Sequence, residues 1–184
     1  MNAFLRRMMA LFPLLTLGVP APGEAQRAPQ EEITLTVLFD NLSADDRLRT
    51  AWGFAALIET PGHTVLFDTG ADGGMLLENL SLLGKDPSTI EAIVLSHAHG
   101  DHTGGLDSLL ALGIRPRLFL LAPFPEPFKR SAATRLQVVE AAPGQEIAPG
   151  IRTTGQVGEV IAEQALMLET AEGVVVLTGC AHPG

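Results

Sequence analysis

Residues 92–105 read AIVLSHAHGDHTGG, so that a short apolar run passes directly into a cluster of ligand-type side chains. Three of the five histidines of the chain and one aspartate lie within positions 97–102. Imidazole and carboxylate groups are the ligands that divalent metals such as zinc accept. An apolar run of this length is typical of a short buried strand, and ligands often bind just beyond the carboxyl end of such a strand. We therefore predict a metal site held by His97, His99, Asp101 and His102.

The spacing of these four residues predicts two metal positions. Side chains two residues apart point the same way in an extended loop, so His97 and His99 can share one metal. Asp101 and His102 follow a glycine, which lets the backbone turn and direct both side chains towards a second metal. The paired glycines that come next allow the following helix to pack closely beneath the loop. A histidine-rich surface loop is the simpler alternative, but the density and placement of the ligands favour a metal site.

Outside this stretch the hydrophobic pattern alternates between strands and helices. The predicted strands are 33–39, 52–59, 63–68, 92–95, 118–121, 164–169 and 174–178, and the predicted helices are 75–83 and 106–112. The first strand is almost continuously apolar, which indicates that both of its faces are covered. Residues 122–160 are rich in proline and glycine and predict short strands and turns. Hairpins combined with helices that follow strands indicate an α/β fold, with α+β as the alternative.

The N-terminal region has the features of a secretory signal peptide. Arg6 and Arg7 precede an apolar run, Met8 to Val19, and small residues follow up to Ala25. We therefore predict a signal peptide over 1–25, a leader over 26–32 and one domain over 33–184. The apolar run has 12 residues, whereas a membrane span takes about 20. The protein is thus expected to be exported, periplasmic or secreted, without a stable membrane anchor after cleavage.

Charge and cysteine content restrict the class of partner. The net charge is −9, and such a surface repels phosphate backbones, which argues against nucleic-acid binding. A small-molecule substrate is the expected partner, and the oligomeric state stays open. Cys180 is the one cysteine, so no intramolecular disulfide can form. A lone thiol in an oxidising compartment is buried, reactive or metal-bound, and its position favours the last two.

The His-x-His-x-Asp-His pattern after a short apolar strand resembles the signature of the metallo-β-lactamase superfamily. The resemblance implies an αββα sandwich with a two-metal site at the sheet edges. It also implies that His97 and His99 bind the first metal and that Asp101 and His102 bind the second. Residues 67–70 (FDTG) are similar to the upstream Asp-Thr-Gly of the family, so Asp68 is expected to support the histidine loop from outside the ligand set.

Four further segments resemble the dihydropteroate-synthase-like subgroup of this superfamily: 38–41 (LFDN), 76–79 (LLEN), 163–166 (EQAL) and 178–184 (TGCAHPG). By this resemblance His182 supplies another metal ligand. Cys180 lies where many superfamily members carry a metal-bridging aspartate, so it is a candidate ligand, with a small buried residue as the alternative. The subgroup continues beyond the last matching residue, which predicts a fragment or a naturally short form. The sandwich is then incomplete at the C-terminus, and the strand 174–178 exposes an edge.

These expectations together predict a metal-dependent hydrolase that acts on an ester, amide or phosphoester. Two divalent ions, zinc in the first place and manganese or iron as alternatives, lower the pKa of water towards neutrality. Asp101 is the expected catalytic residue, because it can orient that water and take up its proton. The alternative from another class is a non-catalytic metal-binding domain. Redox chemistry at an iron centre is a third hypothesis, but no flavin-binding segment accompanies it.

Overall fold

The computed structural model of the protein describes residues 32–42 and 45–183, and all structural statements concern these residues. The predicted signal peptide, 1–25, and nearly all of the leader, 26–32, lie outside them. Within the described ranges, no helix is both long enough and apolar enough to cross a membrane. The domain boundaries 33–184 stay a prediction.

Six strands form the first sheet, in the order β1 to β6. They are β1 (Thr34–Phe39), β2 (Ala55–Thr60), β3 (His63–Phe67), β4 (Ala92–Val94), β5 (Arg117–Leu120) and β6 (Val138–Glu140). The first three strands pair antiparallel, and β3 to β6 pair parallel. The predicted hairpin of β2 and β3 is confirmed, and its turn contains Gly62 at φ 90, a conformation that glycine adopts without strain.

Four strands form the second sheet, which is antiparallel throughout and has the order β10-β9-β8-β7. They are β7 (Glu146–Ala148), β8 (Ile151–Thr153), β9 (Leu166–Thr170) and β10 (Gly173–Leu177). The predicted hairpin over 164–169 and 174–178 corresponds to β9 and β10. As expected for that strand, β10 is at an edge of its sheet, and Val174, Val175 and Val176 are exposed.

The helices are α1 (Gly73–Leu82), α2 (Gly100–Thr103), α3 (Leu106–Ala111) and α4 (Glu126–Ala133), with a 3-10 turn at Pro87–Thr89. The side chain of Asp72 accepts a hydrogen bond from the backbone N–H of Met75 and so caps the start of α1. The helix is followed by Gly84 at φ 65, as the sequence predicted for its end. The helix predicted over 106–112 corresponds to α3.

Two apolar clusters lie on opposite faces of the first sheet, because side chains alternate along each strand. Leu66 of β3 and Ile93 of β4 contribute to the cluster that contains residues of α1 and α3. Their neighbours Val65, Phe67 and Val94 contribute to the cluster shared with the second sheet. The first sheet therefore lies between the helices and the second sheet, which confirms the α/β class and gives three successive layers of the expected αββα sandwich.

Two expectations about the elements are wrong. The strand β1 is not covered on both faces, since Leu35 and Val37 are exposed and only its end, Leu38 and Phe39, is buried. The reason is that β1 is at the edge of the first sheet. The region 122–160 contains the helix α4 in addition to the expected short strands β6, β7 and β8. The proline at position 125 stands immediately before that helix, where a proline does not interrupt helical hydrogen bonds.

Candidate metal centre

The predicted ligands meet where strands of the two sheets end next to each other. The strand β4 of the first sheet runs into the loop with His97, and β10 of the second sheet runs into residues 178–182. Across this junction Nε2 of His102 is 3.1 Å from Sγ of Cys180. Nε2 of His97 is 3.3 Å from Nε2 of His182. Ligands that are about 80 residues apart in sequence thus share one site.

The loop after β4 is folded tightly, and its glycines explain how. The helix α2 begins directly after His99 and carries Asp101 and His102 in a single turn. A Cβ added at Gly104 would lie 2.4 Å from the carbonyl oxygen of Ala71, and one added at Gly105 would lie 2.2 Å from that of Thr69. Larger residues cannot occupy these two positions without displacing the backbone, which confirms the close packing expected of the paired glycines.

The donor atoms fall into two groups that share one residue. The first group is His97, Cys180 and His182, and the second is Asp101, His102 and Cys180. Within each group the donor atoms lie within 4.8 Å of one another. Nitrogen, thiolate and carboxylate donors at this separation are the ligand types of zinc and similar divalent ions. The residues present therefore fit the binding of divalent metal.

His99 lies at the margin of this arrangement, whereas Asp101 belongs to the second group. Nδ1 of His99 is 3.0 Å from Nε2 of His97, so the two side chains converge as their spacing predicted. His99 is nevertheless exposed and belongs to neither of the two groups. Oδ2 of Asp101 is 3.6 Å from Nε2 of His102. His63 is in the hairpin strand β3, away from the cluster, and its Nδ1 is 2.6 Å from Oε1 of Glu91.

Asp68 is fully buried and determines which nitrogen of each histidine carries a proton. Its Oδ2 accepts the Nδ1–H of His102 at 2.7 Å and the hydroxyl of Ser96 at 2.7 Å. The Ser96 hydroxyl, having donated to Asp68, accepts the Nδ1–H of His97 at 2.8 Å. Nε2 of both His97 and His102 is therefore left with a lone pair directed into the site, as metal binding requires. Asp68 thus lies against His102 and Ser96, outside both donor groups, and its supporting role stays a prediction.

Asp68 adopts a backbone conformation that few residues accept. Its φ is 58, in the left-handed region that only glycine, asparagine and aspartate visit readily. A third hydrogen bond, from the backbone N–H of Ser96 to Oδ1 at 2.7 Å, fixes the carboxylate. Strained residues of this kind persist where the surrounding contacts over-determine them, and they concentrate at functional sites.

Burial and neighbouring charges alter the pKa values in the cluster. Burial, together with repulsion from His102, lowers the pKa of His97 to about 4, which keeps this imidazole neutral and able to bind a metal. Burial raises the pKa of Asp68, although the hydrogen bonds from His102 and Ser96 oppose this effect. Burial alone would lower the pKa of His102, but the contact with Asp68 raises it above its ordinary value. Burial and the nearby carboxylates raise the pKa of the Cys180 thiol.

Three residues that support the site were not assigned a role from the sequence. The first is Ser96, which links Asp68 to His97. The other two are the consecutive residues Glu163 and Gln164. Between them they contact the first ligand loop, residues 95–102 after β4, and the second ligand loop, residues 178–182 after β10. Ser96 could have been suspected, because it separates a buried strand from the first histidine. The signal for Glu163 and Gln164 was a charged residue and an amide immediately before an apolar strand.

Open cavities lie on two sides of the cluster. One, of about 210 Å³, is lined by His99 and by apolar residues including Leu121, Phe124 and Ile161, with Glu159 as its one charged residue. The other, of about 180 Å³, is lined by Asp101, Cys180 and the exposed side chain of Trp52. The second cavity therefore gives a small molecule access to donor residues, and the first lies against His99.

Comparison with known proteins gives one family and several relatives. A family model described as the metallo-β-lactamase superfamily matches residues 53–183. The chain is 26% identical over 181 residues to 7,8-dihydropterin-6-methyl-4-(β-D-ribofuranosyl)-aminobenzene-5′-phosphate synthase of Methanocaldococcus jannaschii. That match covers 72% of this chain and 62% of the synthase, so the chain spans less than two thirds of this relative.

Solved structures with the same fold support this match. The metallo-β-lactamase fold protein YhfI of Bacillus subtilis aligns with a TM-score of 0.59 and 18% identity, over 80% of this chain and 61% of YhfI. AiiA of Bacillus thuringiensis aligns with a TM-score of 0.55 and 19% identity, over 82% of this chain and 76% of AiiA. At these identities the likeness concerns the fold alone.

Proposed function

Because the chain belongs to the metallo-β-lactamase superfamily, we propose that it is a metal-dependent hydrolase of a small-molecule ester, amide or phosphoester. The observation that carries this proposal is the convergence of the two donor groups, which share Cys180, at the junction of the two sheets. A buried or merely structural histidine cluster would have its ring nitrogens paired with protein acceptors. Here Nε2 of His97 faces two other imidazoles instead.

The donor groups suggest which residues would hold each ion. His97 and His182 would bind one ion, with His99 beside them, and Asp101 and His102 would bind the other. Cys180, which both donor groups contain, would contact both. Thiolate is a soft ligand that favours zinc or iron over manganese, so zinc remains the first expectation. Divalent ions at such a site supply Lewis acidity and lower the pKa of water towards neutrality.

The residues of the chain would perform the remaining work of hydrolysis. Asp101 is partly exposed beside the second cavity, so its carboxylate can accept a proton from an incoming water and return it to the leaving group. One water is consumed, and its oxygen goes to the acyl or phosphoryl product while its proton goes to the leaving alcohol or amine. The apolar lining of the first cavity would accommodate the uncharged part of the substrate.

A second candidate is group transfer to an acceptor other than water. The named relative at 26% identity is a synthase, and a shared site can activate different nucleophiles. The two candidates differ in a simple product analysis, since hydrolysis consumes one water for each bond cleaved and transfer produces a new covalent adduct.

We further propose that the protein acts after export, without binding nucleic acid and without a stable membrane anchor. The proposal is supported by the charge, the apolar run and the small residues of segment 1–25, and by the net charge of −9.

The test combines metal analysis with a panel of generic substrates. The purified chain is loaded with zinc, its metal content is measured by mass spectrometry, and hydrolysis of 4-nitrophenyl acetate and bis(4-nitrophenyl) phosphate is followed by absorbance. The same measurements are made on a double variant, His97→Ala with His99→Ala. His63→Ala is the matched control, because it removes a histidine that lies outside the cluster.

We expect about two zinc ions per chain, turnover of at least one substrate, and loss of both in the double variant only. Zinc uptake without any turnover would favour the non-catalytic metal-binding domain. A folded chain that takes up no zinc, manganese or iron would refute the metal centre and with it the enzymatic proposal.

A further inference from the structure

Glu163 is a buried carboxylate whose two oxygens both face the second ligand loop. It is 3% exposed. Oε1 accepts the backbone N–H of Ala181 at 3.0 Å, and Oε2 accepts that of His182 at 2.9 Å. The accepted N–H groups belong to a ligand, His182, and to the residue that separates it from Cys180. The carboxylate thus holds the backbone that carries both candidate ligands.

The backbone of this loop needs such a partner. Ala181 has φ 55, a left-handed conformation that is unfavourable for a residue other than glycine. Successive N–H groups in a turn of this kind form a concave site for an anion, and the carboxylate of Glu163 occupies it. Burial alone would raise the pKa of Glu163, but the backbone hydrogen bonds from the loop hold it below its usual value.

Gln164, the next residue, makes the corresponding contacts to the first ligand loop. Its side-chain N–H donates to the carbonyl of Leu95 at 2.8 Å, and its backbone N–H donates to the carbonyl of Ser96 at 2.9 Å. Its Oε1 accepts a hydrogen bond from the hydroxyl of Thr153 at 2.6 Å. Both polar atoms of this buried side chain are therefore hydrogen-bonded. Leu95 and Ser96 directly precede His97. Two consecutive residues therefore reach both ligand loops, one from each sheet.

The two ligand loops are packed so closely that a side chain larger than that of Gly179 does not fit between them. A Cβ added at Gly179 would lie 2.4 Å from Oγ of Ser96 and 3.0 Å from Oε1 of Glu163. The second ligand loop is thus packed directly against the residues that support the first. Backbone hydrogen bonds in both directions with Val157 fix Glu163 itself.

From these contacts we infer that Glu163 is a positioning residue, which together with Gln164 sets the separation of the two ligand loops. In this role Glu163 brings Cys180 and His182 to the donor atoms of the first sheet without touching the metal or the substrate. The inference rests on the proposed metal centre for its function, and on the hydrogen bonds alone for its structural part.

The test uses Glu163→Gln, which keeps the size of the side chain but replaces one acceptor oxygen by an amide donor. That donor would face a backbone N–H of the loop, so one of the two anchoring bonds is lost. The matched control is Glu172→Gln, the same change at an exposed carboxylate in the turn between β9 and β10. Glu163→Asp retains the charge but has a shorter reach, and it serves as the second variant if Glu163→Gln does not fold.

Two measurements are made on each variant, with folding checked by circular dichroism. The first is titration with Co(II) ions alone, followed by the thiolate-to-cobalt absorption band, which reports the bond to Cys180 and the affinity together. The second is the rate at which a disulfide reagent, dithiobis(nitrobenzoate), reacts with the metal-free protein. Cys180 is the only cysteine, so this rate reports the loop itself.

We expect Glu163→Gln to bind Co(II) 10–100-fold more weakly, the range found when a partner of a metal ligand is removed, with a weaker thiolate band and a faster thiol reaction. Glu163→Asp should lie between this variant and the wild type, and Glu172→Gln should match the wild type. Unchanged affinity, band and thiol rate in folded Glu163→Gln would overturn the inference. A wild type that binds no Co(II) would refute the proposed function, whereas the thiol rate would still decide whether Glu163 holds the loop.

Discussion

The substitution Asp68→Asn tests whether Asp68 sets the direction of the hydrogen bonds to His97 and His102, because it leaves the shape of the side chain almost unchanged. Asparagine tolerates the left-handed conformation that position 68 requires, so no backbone strain is added. What changes is the direction of the hydrogen bonds. In the wild type, Oδ2 of Asp68 accepts hydrogen bonds from Nδ1–H of His102 and from the hydroxyl of Ser96. That hydroxyl accepts a hydrogen bond from Nδ1–H of His97.

An amide nitrogen at the position of Oδ2 reverses this chain of hydrogen bonds. The amide has two protons and donates to Nδ1 of His102 and to the hydroxyl of Ser96, which then donates to Nδ1 of His97. Both histidines must carry their proton on Nε2, the nitrogen that faces the site. The opposite amide orientation is not better, because it places the N–H₂ group against the backbone N–H of Ser96, which donates to Oδ1 in the wild type.

The expected magnitude follows from the number of contacts affected. Loss of a partner that orients a ligand costs about 10–100-fold in metal affinity, or roughly 1.4–2.8 kcal/mol. Because the amide can still satisfy its neighbours, we expect the metal-free protein to lose about 2–3 kcal/mol at most, close to the value of one charge-assisted hydrogen bond. For a domain of this size that corresponds to a fall in Tm of about 4–12 °C.

Zinc affinity would be measured by competition with a chromophoric chelator, and the histidine tautomers of the metal-free protein by ¹⁵N chemical shifts. Asp86→Asn is the control, because Asp86 is an exposed carboxylate that accepts a hydrogen bond from the backbone N–H of Ser88. If folded Asp68→Asn binds zinc as tightly as the wild type and its histidines keep the proton on Nδ1, then Asp68 does not set the tautomers of His97 and His102.

Three further predictions concern stability. Gly105→Ala should lower the free energy of unfolding by about 1–3 kcal/mol, because the added Cβ would lie 2.2 Å from the carbonyl oxygen of Thr69. In the control Gly100→Ala the added Cβ meets nothing within 4 Å, so the denaturation midpoint should be unchanged or slightly higher. Saturation with zinc at about 100 times its Kd should add about 2.7 kcal/mol to the free energy of unfolding, and a scan with chelator present should show no such gain. Ile93→Ala, in the core, should lower the free energy of unfolding in urea by about 2–5 kcal/mol. Val175→Ala, on the exposed edge strand, should change it by no more than about 0.5 kcal/mol. Equal effects of the two substitutions would contradict the burial pattern.

The sequence predicted the elements well where periodicity was strong and local. The hairpin of β2 and β3, the helix α1 and the strand β4 all carry continuous apolar patterns bounded by turn residues, and each was found. The helix α4 was missed because it has only 8 residues and because the prolines at positions 125 and 127 indicate a turn where it begins. The coverage of β1 was misjudged because hydrophobicity does not reveal whether a strand is internal or at an edge.

The candidate site was predictable to the extent that its ligands are close in sequence. His97 to His102 occupy six positions, and their ligand chemistry is visible without any knowledge of the fold. Asp68 and His182 could be placed only by resemblance, since nothing local shows that they meet the cluster. The structure adds the direction of the hydrogen bonds, from which the free nitrogen of each histidine follows.

Glu163 illustrates the limit of sequence reasoning, because its role depends on a junction that forms only when the two sheets pack together. Its carboxylate contacts residues 18 and 19 positions away, while Gln164 beside it contacts Leu95, 69 positions away. A hydrophobic pattern assigns such a pair to the polar start of a strand and gives no reason to expect burial. Both polar side chains are buried because their partners, which are the loops after β4 and β10 and the hydroxyl of Thr153, come together only where the two sheets pack against each other. Glu163 and Gln164, which position the ligand loops, are therefore far in sequence from the histidine cluster by which the site is recognised. Only the packing of the second sheet against the first brings these two sets of residues together.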